Sequence, residues 1–180
     1  MRLALAALAM ALAVPASAAR SEGDPLRRPL HLPRLEAGER CPVSTVDPTV
    51  PFKSFGIGPD LGRGPVYPVG DGTLFVERTE GGGWPGTKVL WFVHERYRGP
   101  VLLRGRRIDA RDTLRFGQGP RPAAELRIAR GESVSWTGQQ PGSRGKPSSV
   151  RVRGPGCYAV QIDGTTFSRI VVFSVGPLDS

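Results

Sequence analysis

The sequence predicts an all-β chain folded as an antiparallel β-sandwich, and three observations lead there. Seven or more short runs rich in β-branched and aromatic residues lie between positions 73 and 175, each bounded by Gly, Pro or Asp turn signals. Beyond the first 14 residues no segment carries a sustained apolar stripe at helical spacing, and no βαβ alternation suggests a parallel sheet. The 24 glycines and 18 prolines among 180 residues disfavour helix interiors throughout.

In chain order, Arg2 precedes an unbroken apolar run over 3–14, too short to span a bilayer. Pro15 breaks the run, and Ala16-Ser17-Ala18 supplies the small residues that a signal peptidase reads, so 1–18 is predicted to be a cleavable secretory signal peptide. No cysteine follows directly, which argues against a lipoprotein anchor, and no later stretch suits a transmembrane segment. The expected location is secreted or extracytoplasmic.

Residues 19–68 meet a proline every few positions and read as an irregular, extended, Pro-rich lead-in. A sandwich domain is expected over 69–177. Its first strand falls at 73–78 (TLFVER). A longer one covers 87–97 (TKVLWFVHERY), turns at Arg98-Gly99-Pro100 and returns as 101–108 (VLLRGRRI), with Gly105 as a candidate bulge. Shorter strands are expected at 114–116, 125–129 and 133–137, and a polar loop at 139–147. The alternating run 148–153 (SSVRVR) leads through Gly154-Pro155-Gly156 into 157–162 (CYAVQI). Asp163-Gly164 reads as a two-residue hairpin turn into 165–175, which presents Phe167, Arg169, Val171, Phe173 and Val175 on one face and Ile170 and Val172, between serines, on the other.

The run Pro155-Gly156-Cys157-Tyr158-Ala159-Val160 resembles the P-G-x-Y-x-V strand near the end of many bacterial immunoglobulin-like domains. Three blocks, 31–43 (HLPRLEAGERCPV), 99–109 (GPVLLRGRRID) and 154–173, resemble a family of exported bacterial proteins of unknown function. The resemblance implies an immunoglobulin-like sandwich and export, and no activity. The tyrosine here directly follows Cys157, whereas antibody domains place theirs two residues before the cysteine, so the antibody inter-sheet disulfide is not implied.

Cys41 and Cys157 are the two cysteines of the chain. In an oxidising compartment such a pair reads as a disulfide, here tying the lead-in to the body; a catalytic thiol is the rival reading. Two histidines, His31 and His94, with both cysteines paired, leave too few ligands for zinc. Copper of the blue type fails as well, because Met1 and Met10 leave with the leader and no histidine follows Cys157. No cofactor is expected. There is no G-x-S-x-G elbow, the S-x-x-K at 143–146 sits in a predicted loop, and GGGWPGTK at 81–88 lacks the Lys-Ser/Thr ending of a phosphate loop. Trp84 in that loop reads equally as an exposed contact or a core cap. A small exported hydrolase would have to use His94 with Asp109 or Asp112, because Glu95, adjacent on a strand, points to the opposite face.

The formal net charge is +9, with 25 Lys+Arg against 16 Asp+Glu. It is almost all arginine: Lys53, Lys88 and Lys146 are the only lysines, and asparagine does not occur. That skew is what a GC-rich coding bias produces, and export turns the charge away from nucleic acid towards an anionic envelope polymer or another extracytoplasmic protein. Seven arginines fall within 96–115. Arg96, Arg98, Arg104, Arg106 and Arg107 form the candidate anion-binding surface, with Arg104 and Arg106 expected on one strand face. The rival reading is a solvated sheet face whose charge protects it from aggregation. The function expected is a non-catalytic binding or envelope-associated module.

Overall fold

A computed structural model describes residues 23–49, 58–77, 83–132 and 142–177; the leader at 1–18 and the strand expected at 133–137 lie outside them. The described residues contain nine strands and no helix. A four-stranded sheet runs in the order β1 (Val66–Pro68), β3 (Gly86–Val93), β7 (Arg144–Arg151), β5 (Arg115–Phe116). A five-stranded sheet runs β2 (Thr73–Leu74), β9 (Ser168–Val175), β8 (Gly156–Gly164), β4 (Val101–Arg107), β6 (Glu125–Ile128). All pairings are antiparallel except β2 with β9.

Strand alternation builds the core. Val89, Trp91 and Val93 of β3 with Val150 of β7 face Val101 and Leu103 of β4, Val160 and Ile162 of β8, and Val171, Phe173 and Val175 of β9. Two sheets sharing one buried cluster is the arrangement of a β-sandwich.

Several local expectations are corrected. The runs 87–97 and 101–108 do not form a hairpin: β3 pairs with β1 and β7, and β4 with β6 and β8. The chain between them crosses from one sheet to the other around Tyr97, which is buried against Phe167 and whose hydroxyl donates to the Pro100 carbonyl at 2.7 Å. Each strand thereby turns its apolar face to the same core from opposite sides. Gly105 is not a bulge, because the β4–β8 register runs through it unbroken. Its missing side chain admits the neighbouring strand: a Cβ there would lie 2.7 Å from the Ala159 carbonyl oxygen.

Asp163-Gly164 is not the hairpin turn. Both residues belong to β8, Asp163 is paired with Ser168, and Gly164 is not among the positive-φ glycines that a type I′ turn would need. The turn falls at 165–167 because strand pairing continues through Asp163 opposite Ser168 and the Gly164 amide donates to the Phe167 carbonyl. The loop expected at 139–147 is strand from Arg144 onward. Pro147 is tolerated there because β5 covers only Val150 and Arg151 on that side, leaving an edge where no donor is needed. Arg144 and Lys146 stand opposite the core residues Val93 and Trp91 and so point inward along this edge, an obstacle to edge-to-edge pairing. Arg144 is buried, and donates to the carbonyls of Gly99 and Ala129, both at 2.8 Å.

Residues 23–49 contain no strand; up to Cys41 they lie as a strap across the outer face of the five-stranded sheet, and Val43 and Val46 then pack against the main core. Leu32 and Leu35 pack on Ile108, Ala159 and Val172, forming a second apolar cluster that includes the Cys41–Cys157 disulfide, with Cα atoms 5.4 Å apart. Polar bonds fasten the rest. The amide of His31 donates to Gln161 Oε1, and Gln161 Nε2 donates to the Pro29 carbonyl. Asp163 is fully buried and accepts from Arg104 Nη2 at 2.8 Å, Ser168 Oγ at 2.7 Å and Gln161. Arg104 Nη2 also donates to the Arg28 carbonyl, while Arg28 caps the β8–β9 turn through the carbonyls of Gly164 and Phe167. A buried carboxylate costs far less when paired and hydrogen-bonded in this way.

One carboxylate has no such company. Asp60 is fully buried, and neither oxygen has a hydrogen-bond partner. Burial first, then the nearby charge of Asp47, push its carboxyl up to about 7.

Two outcomes follow for stability. Replacing both cysteines by serine is expected to remove about 2–4 kcal/mol. Hydrogen exchange should then quicken over strap residues 31–44 while β8 stays protected. Asp60 retains in the folded state a proton that the unfolded chain loses near its ordinary value, so its contribution to stability falls as pH rises from about 4 to 7. Asp60→Asn is expected to leave Tm little changed below about pH 4 and to raise it progressively up to about pH 7, by several degrees at pH 8, as read by thermal denaturation across pH.

Candidate functional site

The five arginines of the predicted surface are not one cluster. Arg104 and Arg106 do share the outer face of β4, where both donate to strap carbonyls, of Arg28 and Leu32. Arg104 is committed to Asp163 and only 14% exposed, so it is part of the fastening. Arg96 and Arg98 sit at the opposite end of β4 from Arg107, a strand length of roughly 20 Å for seven residues. Arg96 Nη2 donates to the hydroxyl of Tyr67, which donates to Asp47. Arg98 lies against Gly142, where a Cβ would come within 2.7 Å of its guanidinium.

Arg106 and Arg107 enter a different group, at the end of β4. The Leu35 amide donates to the Ile108 carbonyl and the Ile108 amide to Cys157, which seats the strap beside this end. The chain then turns back through 109–112, and Arg106 bridges to Thr113. Between strap and turn lies a cavity of about 400 Å³ lined by Pro33, Arg34, Arg106, Arg107, Arg111 and Asp112, among others. A second, of about 430 Å³, opens on the other side of the turn and shares Arg34 and Arg111. Together they make a cleft with four arginines and three acids, Glu36, Asp109 and Asp112, on its walls.

The charges of this cleft are unequally committed. Arg107 donates to both oxygens of Asp109, at 2.6 and 3.3 Å, and its guanidinium lies 6.0 Å from the centroid of the Tyr158 ring. Burial pushes the Asp109 carboxyl up, but hydrogen bonds from Arg107 and the backbone outweigh it and hold the group below its usual range. Asp112 accepts from the Thr113 amide. Arg34, Arg106 and Arg111 have no carboxylate within ion-pair distance among the described residues. Arg34 and Arg111, with Arg106 bonded only to the Leu32 carbonyl at 3.4 Å, thus present in-plane donors to one opening, a geometry suited to phosphate or carboxylate.

Arg34 escaped sequence reasoning. It lies about 70 residues from the cluster, and only burial of its neighbours Leu32 and Leu35 against the sheet turns it to the cleft.

His94 lies just past the end of β3, and there Glu95 is not forced to the opposite face: its carboxylate approaches His94 Nδ1 to 4.0 Å. The Ser143 hydroxyl donates to Glu95 at 3.1 Å, and His94 Nδ1 faces the Arg96 amide at 3.3 Å. The contact order is hydroxyl, carboxylate, imidazole, whereas nucleophilic catalysis places the imidazole against the hydroxyl. Asp109 and Asp112 are at the far end of β4 from this histidine. Among the described residues no group of three or more His, Cys, Asp or Glu side chains converges as a metal site would require, and no helix is long and apolar enough to cross a membrane.

No protein-family model, characterised protein or solved structure matches the chain.

Proposed function

We propose that this chain is an exported, non-catalytic binding module that grips anionic groups of an envelope polymer in the cleft between strap and β4. One observation carries the reading: Arg34, Arg106 and Arg111 line a common cleft without carboxylate partners. Export is supported by the apolar leader at 1–18 and by a disulfide, a bond that persists in oxidising compartments.

An immunoglobulin-like sandwich belongs to the same proposal. Its support is the spatial order β1-β3-β7 in one sheet and β9-β8-β4 in the other, which matches strands A-B-E and G-F-C of that fold. Near the start of β8, the Tyr158 hydroxyl donates back to the Gly154 carbonyl at 2.8 Å, as a tyrosine corner does. Two features depart from the pattern: β5 precedes β6 in the chain while lying in the opposite sheet, and the buried tryptophan Trp91 is on β3, at the B position, where the fold places it on strand C.

The test is co-sedimentation with cell-wall and lipid fractions over a range of salt. Arg34→Glu with Arg106→Glu is expected to weaken retention at least tenfold and to flatten its salt dependence. Unchanged retention overturns the assignment to this cleft. Arg104 is unsuitable for such a test, because removing it strands Asp163 as a buried, under-paired charge. Asp109→Asn, which releases Arg107, is expected to strengthen retention by two- to tenfold in the same assay.

A further inference from the structure

A second group of cations lies on the outer face of the four-stranded sheet. Arg115 of β5 and Arg151 of β7 are directly opposite one another in the strand pairing. Like charges so placed repel. Arg153 follows just beyond β7, its guanidinium stacked 3.9 Å from the centroid of the Trp84 ring, with that of Arg115 at 5.9 Å from the same ring. Among the described residues none of these three arginines has a carboxylate within 4.0 Å.

The arrangement is built in. Gly86 faces Arg151 in the β3–β7 register, and a Cβ at Gly86 would lie 2.5 Å from the Arg151 Cδ. The arginine stem therefore lies flat across the glycine. From there it donates to the carbonyls of Trp84 at 2.9 Å and Gly117 at 3.2 Å. A guanidinium stacked on an indole spends its face on the ring and keeps its in-plane N–H groups for a ligand. Beyond Gly117 opens a cavity of about 400 Å³, also lined by Lys88, an exposed cation two residues from Gly86 on the same sheet face.

We infer that Arg115, Arg151 and Arg153, arrayed around Trp84 and continued by Lys88, form a second anion site that takes the phosphate groups of a phosphate-bearing polymer. Phosphate is favoured over carboxylate because its tetrahedral oxygens accept from guanidinium groups held at different heights about the ring, whereas one planar carboxylate is filled by one fork. A polymer is favoured over a single phosphate because the cations extend from Arg153 to the Lys88 cavity. A bound polyanion would relieve the Arg115–Arg151 repulsion. The site shares no residue with the arginine cleft and does not depend on it.

Trp84 is the reporter. Trp91 is fully buried, and Trp136 is removed by Trp136→Phe. In that background, long-chain polyphosphate is expected to change the tryptophan emission saturably, and calorimetry should return the same midpoint. Arg115→Gln with Arg153→Gln is expected to raise the midpoint at least tenfold with Tm kept within a few degrees, while Arg34→Glu with Arg106→Glu leaves the Trp84 response in place. Inorganic phosphate should bind far more weakly than the polymer. Polygalacturonate of matched charge should fail to saturate. The inference is overturned by no saturable binding of polyphosphate, by a midpoint indifferent to Arg115 and Arg153, or by equal binding of polygalacturonate.

Discussion

Fastening the strap to the outer face of the five-stranded sheet is the constraint on which most of this molecule depends. Asp163 is central to it. A carboxylate with no exposure must be paired, and here Arg104, Ser168 and Gln161 share the task. Arg104 and Gln161 then reach on to strap carbonyls, so the group that neutralises the buried charge also holds residues 28–31. Further along, the Cys41–Cys157 disulfide and the Leu32 cluster do the same work by a covalent bond and apolar burial. The sheet consequently buries both faces, one against the main core and one beneath a segment without regular structure.

That third layer creates the proposed binding cleft. Neither wall is a site alone: the end of β4 supplies Arg106 and Arg107, the turn after it supplies Arg111, and the strap brings Arg34. The cleft also shows how one stretch of arginines divides by role. Arg104 is consumed in holding the structure, Arg107 is half-neutralised by Asp109, and Arg106 touches one strap carbonyl and has no carboxylate partner among the described residues. Charge density in the sequence does not distinguish these cases, because the partners that settle them come from distant segments. On the other sheet the same residue type is arranged by an indole ring and a glycine, with no carboxylate within 4.0 Å among the described residues.

Much of the fold was legible in the chain. Alternation over β8 and β9 correctly places Val171, Phe173 and Val175 on the core face, because side chains alternate whatever the partner strand is. The pair Cys41 and Cys157 follows from their number and the expected compartment. The errors share a cause. The hairpin between β3 and β4, the turn at Asp163-Gly164, the bulge at Gly105 and the loop over 144–147 were all inferred from local signals. Each was overridden by the tertiary pairing of the strands: Tyr97 lodged between sheets, Asp163 paired with Ser168, the Ala159 carbonyl against Gly105, and β7 paired with β3 as far as Arg144.

By itself the sequence determined the strand-forming runs, the face each presents to a core and the residues able to cross-link. These depend on side-chain chemistry and the two-residue period of a strand. Tertiary structure alone decided which strands share a sheet, which arginines are spent on buried carboxylates and carbonyls, and that Arg34 meets Arg106 and Arg111 across a cleft. Those outcomes rest on pairings between segments up to 139 residues apart, such as Arg28 with Phe167, and local propensity holds no record of them.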